Sequence, residues 1–111
     1  MAAWVVVMAD YVDEYFEWDI TKSEEVHARH AFDFRLVAEM LTTESHIYVR
    51  LDDREYTEER LVAIGRIHGL FITAVYTTRG RRKRIITAWR SDRAEIDDYA
   101  RHMGYRDEGK N

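Results

Sequence analysis

The sequence predicts an α+β fold: an antiparallel sheet of about four strands, with two N-terminal helices and one C-terminal helix. Three observations predict it. Two β-branched runs, "RLVAIGRI" and "LFITAVYTT", are joined by His68-Gly69, a tight-turn signal that makes their strands antiparallel. A third run, "RIITAWR", follows after the short turn "RGRR". Upstream, Phe34, Val37, Ala38 and Leu41 recur at i, i+3, i+4 and i+7, which is one apolar stripe of a helix. The 111 residues include no proline, no low-complexity stretch and no linker, so residues 1–111 read as one domain.

Each element follows in order. "MAAWVVVMADY" is apolar but too short to span a bilayer and has no basic residue ahead of it, so residues 1–13 read as a leader or an extra strand. "YFEW" is aromatic and strand-like. Asp19 or Thr21 can cap a first helix running to about His30, with Glu24 and Glu25 in its first turn, where the dipole favours acids. The helix "FDFRLVAEMLTT" comes next, then the strand "HIYVRL", the polar connection "DDREYTEE" and the three runs above. Asp92 and Glu95 have the spacing of a capping box for a last helix, "RAEIDDYARHM". Residues 106–111 read as a frayed tail. The helices are expected on one face of the sheet.

Composition narrows the chemistry. There is no cysteine, which excludes disulfides and thiolate metal sites and fits a reducing cytoplasm. Hydrophobic residues make up 46%, enough for a packed core. The net charge of −4 hides an asymmetry: residues 1–60 carry 6 Lys+Arg and 15 Asp+Glu, residues 61–111 carry 11 and 6. Either the basic half meets an anionic partner, or the two halves neutralise each other across the fold.

The positive charge concentrates between Arg79 and Arg90. Strand alternation puts Arg82, Arg84, Ile86, Ala88 and Arg90 on one face, and Lys83, Ile85, Thr87 and Trp89 on the other. A phosphate chain laid across the first face could meet several guanidiniums, each able to bond it bidentately; a solvated hairpin tip is the bland alternative. Arg79, Arg81, Arg82 and Lys83 are the candidate residues for binding such a phosphate chain. His30, at a helix end, either shuttles a proton or caps the helix. Lys22 lies two turns before it on the same side. Tyr76 precedes the basic turn as a core residue or a base-stacking platform. His27 and His30 lack a carboxylate that would complete a zinc motif, so no metal or cofactor is assigned.

Four blocks, in order, resemble the BrnT family of ribonuclease toxins from bacterial toxin–antitoxin pairs. "FEWDITK" is similar to the family's "FEWD" followed by a lysine, and "RHAFDF" to "KHGxxF". "EERLVAIGR" is similar to "EERxVAIGR", and "VYTTRGRRKRIITAWRSDRAE" to "VYTERG…RIISARRATRRE". The resemblance covers about residues 16–100. It implies a RelE-like, microbial-RNase-like fold and a metal-independent endoribonuclease that cleaves mRNA and inhibits translation. It also implies a ribbon-helix-helix antitoxin, BrnA-like, in a 2:2 complex that reaches operator DNA only through that antitoxin, with no membrane partner. The positions carrying catalysis would be Lys22, His30, Arg66, Tyr76, Arg84 and Arg90. In-line attack by a 2′-hydroxyl needs cations on the phosphate and groups that move protons, which these residue types supply.

The chain departs from the pattern at Ile20, Val26, Ala31 and Trp89, and in an acidic last helix bearing Glu95, Asp97 and Asp98. Ala31 replaces a glycine, so the loop after His30 is expected to differ. The departures leave open a second reading, a catalytically weak relative that acts mainly as an antitoxin-binding co-repressor. A general nucleic-acid binder is a third.

Overall fold

The computed structural model of the chain describes residues 9–54 and 57–104. The proposed leader before Ala9, the frayed tail and part of the polar connection lie outside the described residues. The elements are β1 (Asp10–Val12), β2 (Phe16–Asp19), α1 (Ile20–His30), α2 (Phe34–Thr42), β3 (Ile47–Leu51), β4 (Leu61–Ile67), β5 (Leu70–Arg79), β6 (Arg82–Arg90) and α3 (Arg93–His102).

The sheet differs from the expected four antiparallel strands. It has six strands in the order β1-β2-β6-β5-β4-β3, and β2 pairs with β6 in parallel. The strand expected near the N-terminus exists as Asp10–Val12, hairpinned onto β2. Asp13 shapes that turn: its carboxylate accepts from the backbone N–H of Tyr15 (2.8 Å) and Phe16 (2.7 Å) and from the Tyr11 hydroxyl (2.7 Å). The Tyr11 bond, followed by the backbone bonds, holds the Asp13 carboxyl below its usual pKa. A carboxyl depressed in the folded state stabilises above its unfolded pKa of 3.8 and loses that contribution as pH falls through the lower folded value. The β1–β2 hairpin is therefore expected to loosen in acid, at and below that range. Amide exchange at Tyr15 and Phe16, followed against pH in the parent and in Asp13→Asn, checks this; equal protection in both at pH 6 would remove the role.

A second correction concerns the helices, which lie on both faces. One core, under α1 and α2, joins Trp18, Phe34, Val37, Met40, Ile72 and Ile85. On the other face Tyr99 of α3 packs with Val62, Ile64 and Val75, the alternate residues of β4 and β5. Strand alternation makes both faces apolar along the centre of the sheet, and each then needs a cover. α3 packs mainly against β3 and β4 and meets β6 at Trp89, at the other end of that strand from Arg84, so the stretch of its face around Arg84 stays open.

Local chemistry sets the helix ends. Asp19, not Thr21, caps α1 by accepting from Lys22 N–H at 3.2 Å. The first turn starts at Ile20, so Glu24 and Glu25 fall beyond it. Ser23, buried in α1, accepts from the Phe34 N–H at 2.9 Å and so fixes the start of α2. The Asp92–Glu95 capping box of α3 forms as expected.

Ala31 ends α1 in the left-handed region (φ 66°, ψ 25°), its N–H bonded to the His27 carbonyl at 2.9 Å. The loop thus takes a glycine-type conformation with an alanine in it. An L-residue there carries about 1–2 kcal/mol of strain. Ala31→Gly is expected to stabilise the fold by about 0.5–1 kcal/mol, since relief of strain is partly offset by unfolded-state entropy. An unchanged or lower urea midpoint would contradict it.

Candidate functional site

The basic hairpin does not keep the alternation predicted for it. Val75 pairs with Thr87 but Tyr76 pairs with Ile85, so Ile86 is an extra residue, a β-bulge. The bulge shifts the faces on either side of it. Ile85 and Ala88 both join the core under α1 and α2, while Ile86 and Trp89 both pack on the α3 side. Arg84 and Arg90 consequently part company. Arg90 donates from Nε to the His30 carbonyl at 3.1 Å, tying down the end of α1.

Arg84 stands beside Glu17 of β2 and Thr77 of β5, on the part of the α3 face that α3 leaves open. Its Nη1 lies 2.9 Å from Glu17 Oε2 and 3.0 Å from Asp10 Oδ2. These bonds, Asp10 first, raise the guanidinium's pKa still further, so it is always charged. Arg79 reaches the same Glu17 at 3.9 Å and Glu58 at 3.5 Å. Thr77, buried, donates to the Glu59 carbonyl at 2.7 Å, which pins the approach to β4 against β5. That pin brings Arg60 to the group. Lys22, Arg60, Arg79 and Arg84, with Asp19 and Glu58, line an open cleft of about 350 Å³.

The remaining candidates fall elsewhere. Lys22 also borders a second, narrower cleft with His30. Arg81 pairs with Glu14 at 3.2 Å, and Arg82 donates to the Asp13 carbonyl at 2.6 Å. Lys83 holds β2 through its backbone N–H, 2.9 Å from the Tyr15 carbonyl. Tyr76 is 4% exposed, inside the core under α1 and α2. Arg66 lies 5.4 Å over the Phe71 ring and lines a separate recess with Glu39, His68 and Tyr99. Of the ten candidates, the structure gathers Lys22, Arg79 and Arg84 at one cleft.

Sequence reasoning missed Arg60, Glu17, Asp10 and Glu58. Arg60 lies inside the block "EERLVAIGR", but no local pattern says that the start of β4 meets the end of β5. The carboxylates carry a weaker signal, the acidic excess of the first 60 residues. Part of that excess does neutralise the basic half across the fold, through Arg84, Arg79 and Arg81.

A search of curated proteins returns no match. Residues 18–95, well over half of the chain, match the model of the family described as "Ribonuclease toxin, BrnT, of type II toxin-antitoxin system". A mixed sheet with an open cationic cleft, built from the same blocks that carried the resemblance, is thus the form taken here by a member of the BrnT toxin family of type II toxin–antitoxin systems.

Proposed function

We propose that the chain is a metal-independent endoribonuclease that cleaves mRNA and inhibits translation in the cytoplasm, and that a ribbon-helix-helix antitoxin neutralises it. The observation that carries this reading is the cleft of Lys22, Arg60, Arg79 and Arg84, four cations around one open hollow beside β6. In the reaction a 2′-hydroxyl attacks the adjacent phosphorus, and the 5′ oxygen leaves with a proton. The charge that builds on the phosphoryl oxygens is met by guanidiniums already held in place, so little reorganisation is needed. Glu17 and Glu58 do the holding, because each bonds an arginine from the side. His30, in the neighbouring cleft, supplies an imidazole for proton transfer.

One observation favours a second reading. Arg84 and Arg79 are already ion-paired with Asp10, Glu17 and Glu58, so RNA must displace or tolerate those carboxylates. That cost suits a catalytically weak relative that works chiefly as an antitoxin-binding co-repressor. Two measurements decide. Inducing the chain alone in cells is expected to stop growth and shorten mRNA. The purified protein is expected to cut a single-stranded RNA in EDTA, leaving 2′,3′-cyclic or 3′-phosphate ends. Intact RNA and unimpeded growth would favour the co-repressor; cutting that needs a divalent ion would overturn the metal-free mechanism.

A further inference from the structure

β2 stops at Asp19, where the chain turns into α1, and its pairing with β6 ends at Ile85. Among the described residues no strand continues along that side of β6, so the edge from Ile86 to Arg90 is unpaired there. α1 runs beside this edge. Its Lys22, Glu25, Val26, Arg29 and His30 are spaced i, i+3, i+4, i+7 and i+8, one face of the helix. Between that face and Thr87–Trp89 lies the narrow cleft of about 170 Å³. Lys22 lines both this cleft and the wider one holding Arg60, Arg79 and Arg84, so the two are adjoining stations on one track.

The lining has a definite chemistry. An open strand edge presents N–H and C=O groups in alternation, which is the complement of a nucleobase edge. Lys22 and Arg29 add cations for the flanking phosphate, and Glu25 adds an acceptor for an exocyclic amine. Trp89 borders the cleft from the rim, its ring on the α3 side of β6, and is held rigidly: its indole N–H donates to both Glu95 carboxylate oxygens, at 3.1 and 3.2 Å. Glu95 is fixed in turn by the Asp92 N–H at 2.8 Å, in the capping box of α3. A fixed aromatic beside cations is what a splayed-out, single-stranded base stacks on. A duplex cannot enter so narrow a space.

We infer that the cleft between α1 and the free edge of β6 is a nucleotide subsite, taking the base next to the phosphate held at Arg79 and Arg84. It rests on the reading of that wider cleft as the phosphate site. Trp89 and Arg29 are then binding residues that set nucleotide preference; neither touches the reacting atoms.

The test is titration of a non-cleavable, single-stranded 2′-O-methyl oligoribonucleotide, with cleavage kinetics on the matching RNA. Arg29→Glu and Trp89→Leu are expected to weaken binding about tenfold or more, and Trp89→Phe, which keeps a stacking ring, far less. In cleavage their KM should rise with kcat held, and Trp89→Leu should change which nucleotide flanks the cut. Arg29 is exposed, so Arg29→Glu remains decisive even where Trp89→Leu fails to fold. Wild-type binding by folded Arg29→Glu and Trp89→Leu, with binding lost in Arg84→Ala, would overturn the subsite and leave the phosphate site standing. Wild-type binding by Arg84→Ala as well would overturn both.

Discussion

Replacing Arg84 with alanine is expected to lower single-turnover RNA cleavage roughly 10²–10³-fold, the usual cost of removing one fixed group that stabilises transition-state charge. Arg84 is the cation that the fold controls most tightly. Its side chain is 20% exposed, and it is gripped by Asp10 and Glu17. Its loss also leaves those two carboxylates facing each other without the charge between them, so a modest fall in stability accompanies the fall in rate. Arg84→Lys separates the effects. Lysine keeps the charge but cannot bond two groups through a planar fork, so it should restore most of the stability and only part of the rate. Cleavage at the parental rate by a folded Arg84→Ala protein would end the electrostatic account.

Phe34→Ala should give the largest loss of stability, about 3–5 kcal/mol. The ring is fully buried and meets Trp18 edge-on, with centroids 6.1 Å apart. No polar atom is exposed by the truncation; what remains is a cavity between α2 and β2. Against a total stability of about 5–15 kcal/mol, that loss brings the protein close to unfolding. Urea denaturation should show a large drop in midpoint at an unchanged slope. A loss under about 1.5 kcal/mol would mean that the core closes over the gap.

Those two residues mark what the sequence could and could not disclose. Phe34 was legible because its helix repeats within eight residues. The same holds for the Asp92–Glu95 box and for the His68-Gly69 turn, where both residues take positive φ (49° and 80°). Local spacing fixes such features, so they can be read locally. The setting of Arg84 was not legible. Its partners lie 67 and 74 residues away, brought in by a parallel pairing that no short turn announces. One bulged residue, Ile86, then reversed the faces that simple alternation assigned, parting Arg84 from Arg90. The position of α3 was missed for a similar reason. The apolar runs of β4 and β5 ask for a cover on both faces, but nothing local says which helix goes to which face.

The parallel pairing of β2 with β6 also sets a schedule for biosynthesis. The ribosome makes β2 early, yet its neighbour in the sheet ends only at Arg90. Until then Glu17 has no Arg84 to hold, and Lys22 has no cleft to border. A nascent or prematurely terminated chain therefore holds half a site at most. Closing so distant a contact comes late and slowly in folding. With the proposed mRNA cleavage, a toxin wired in this way would stay harmless to the message that encodes it until translation of that message is nearly complete.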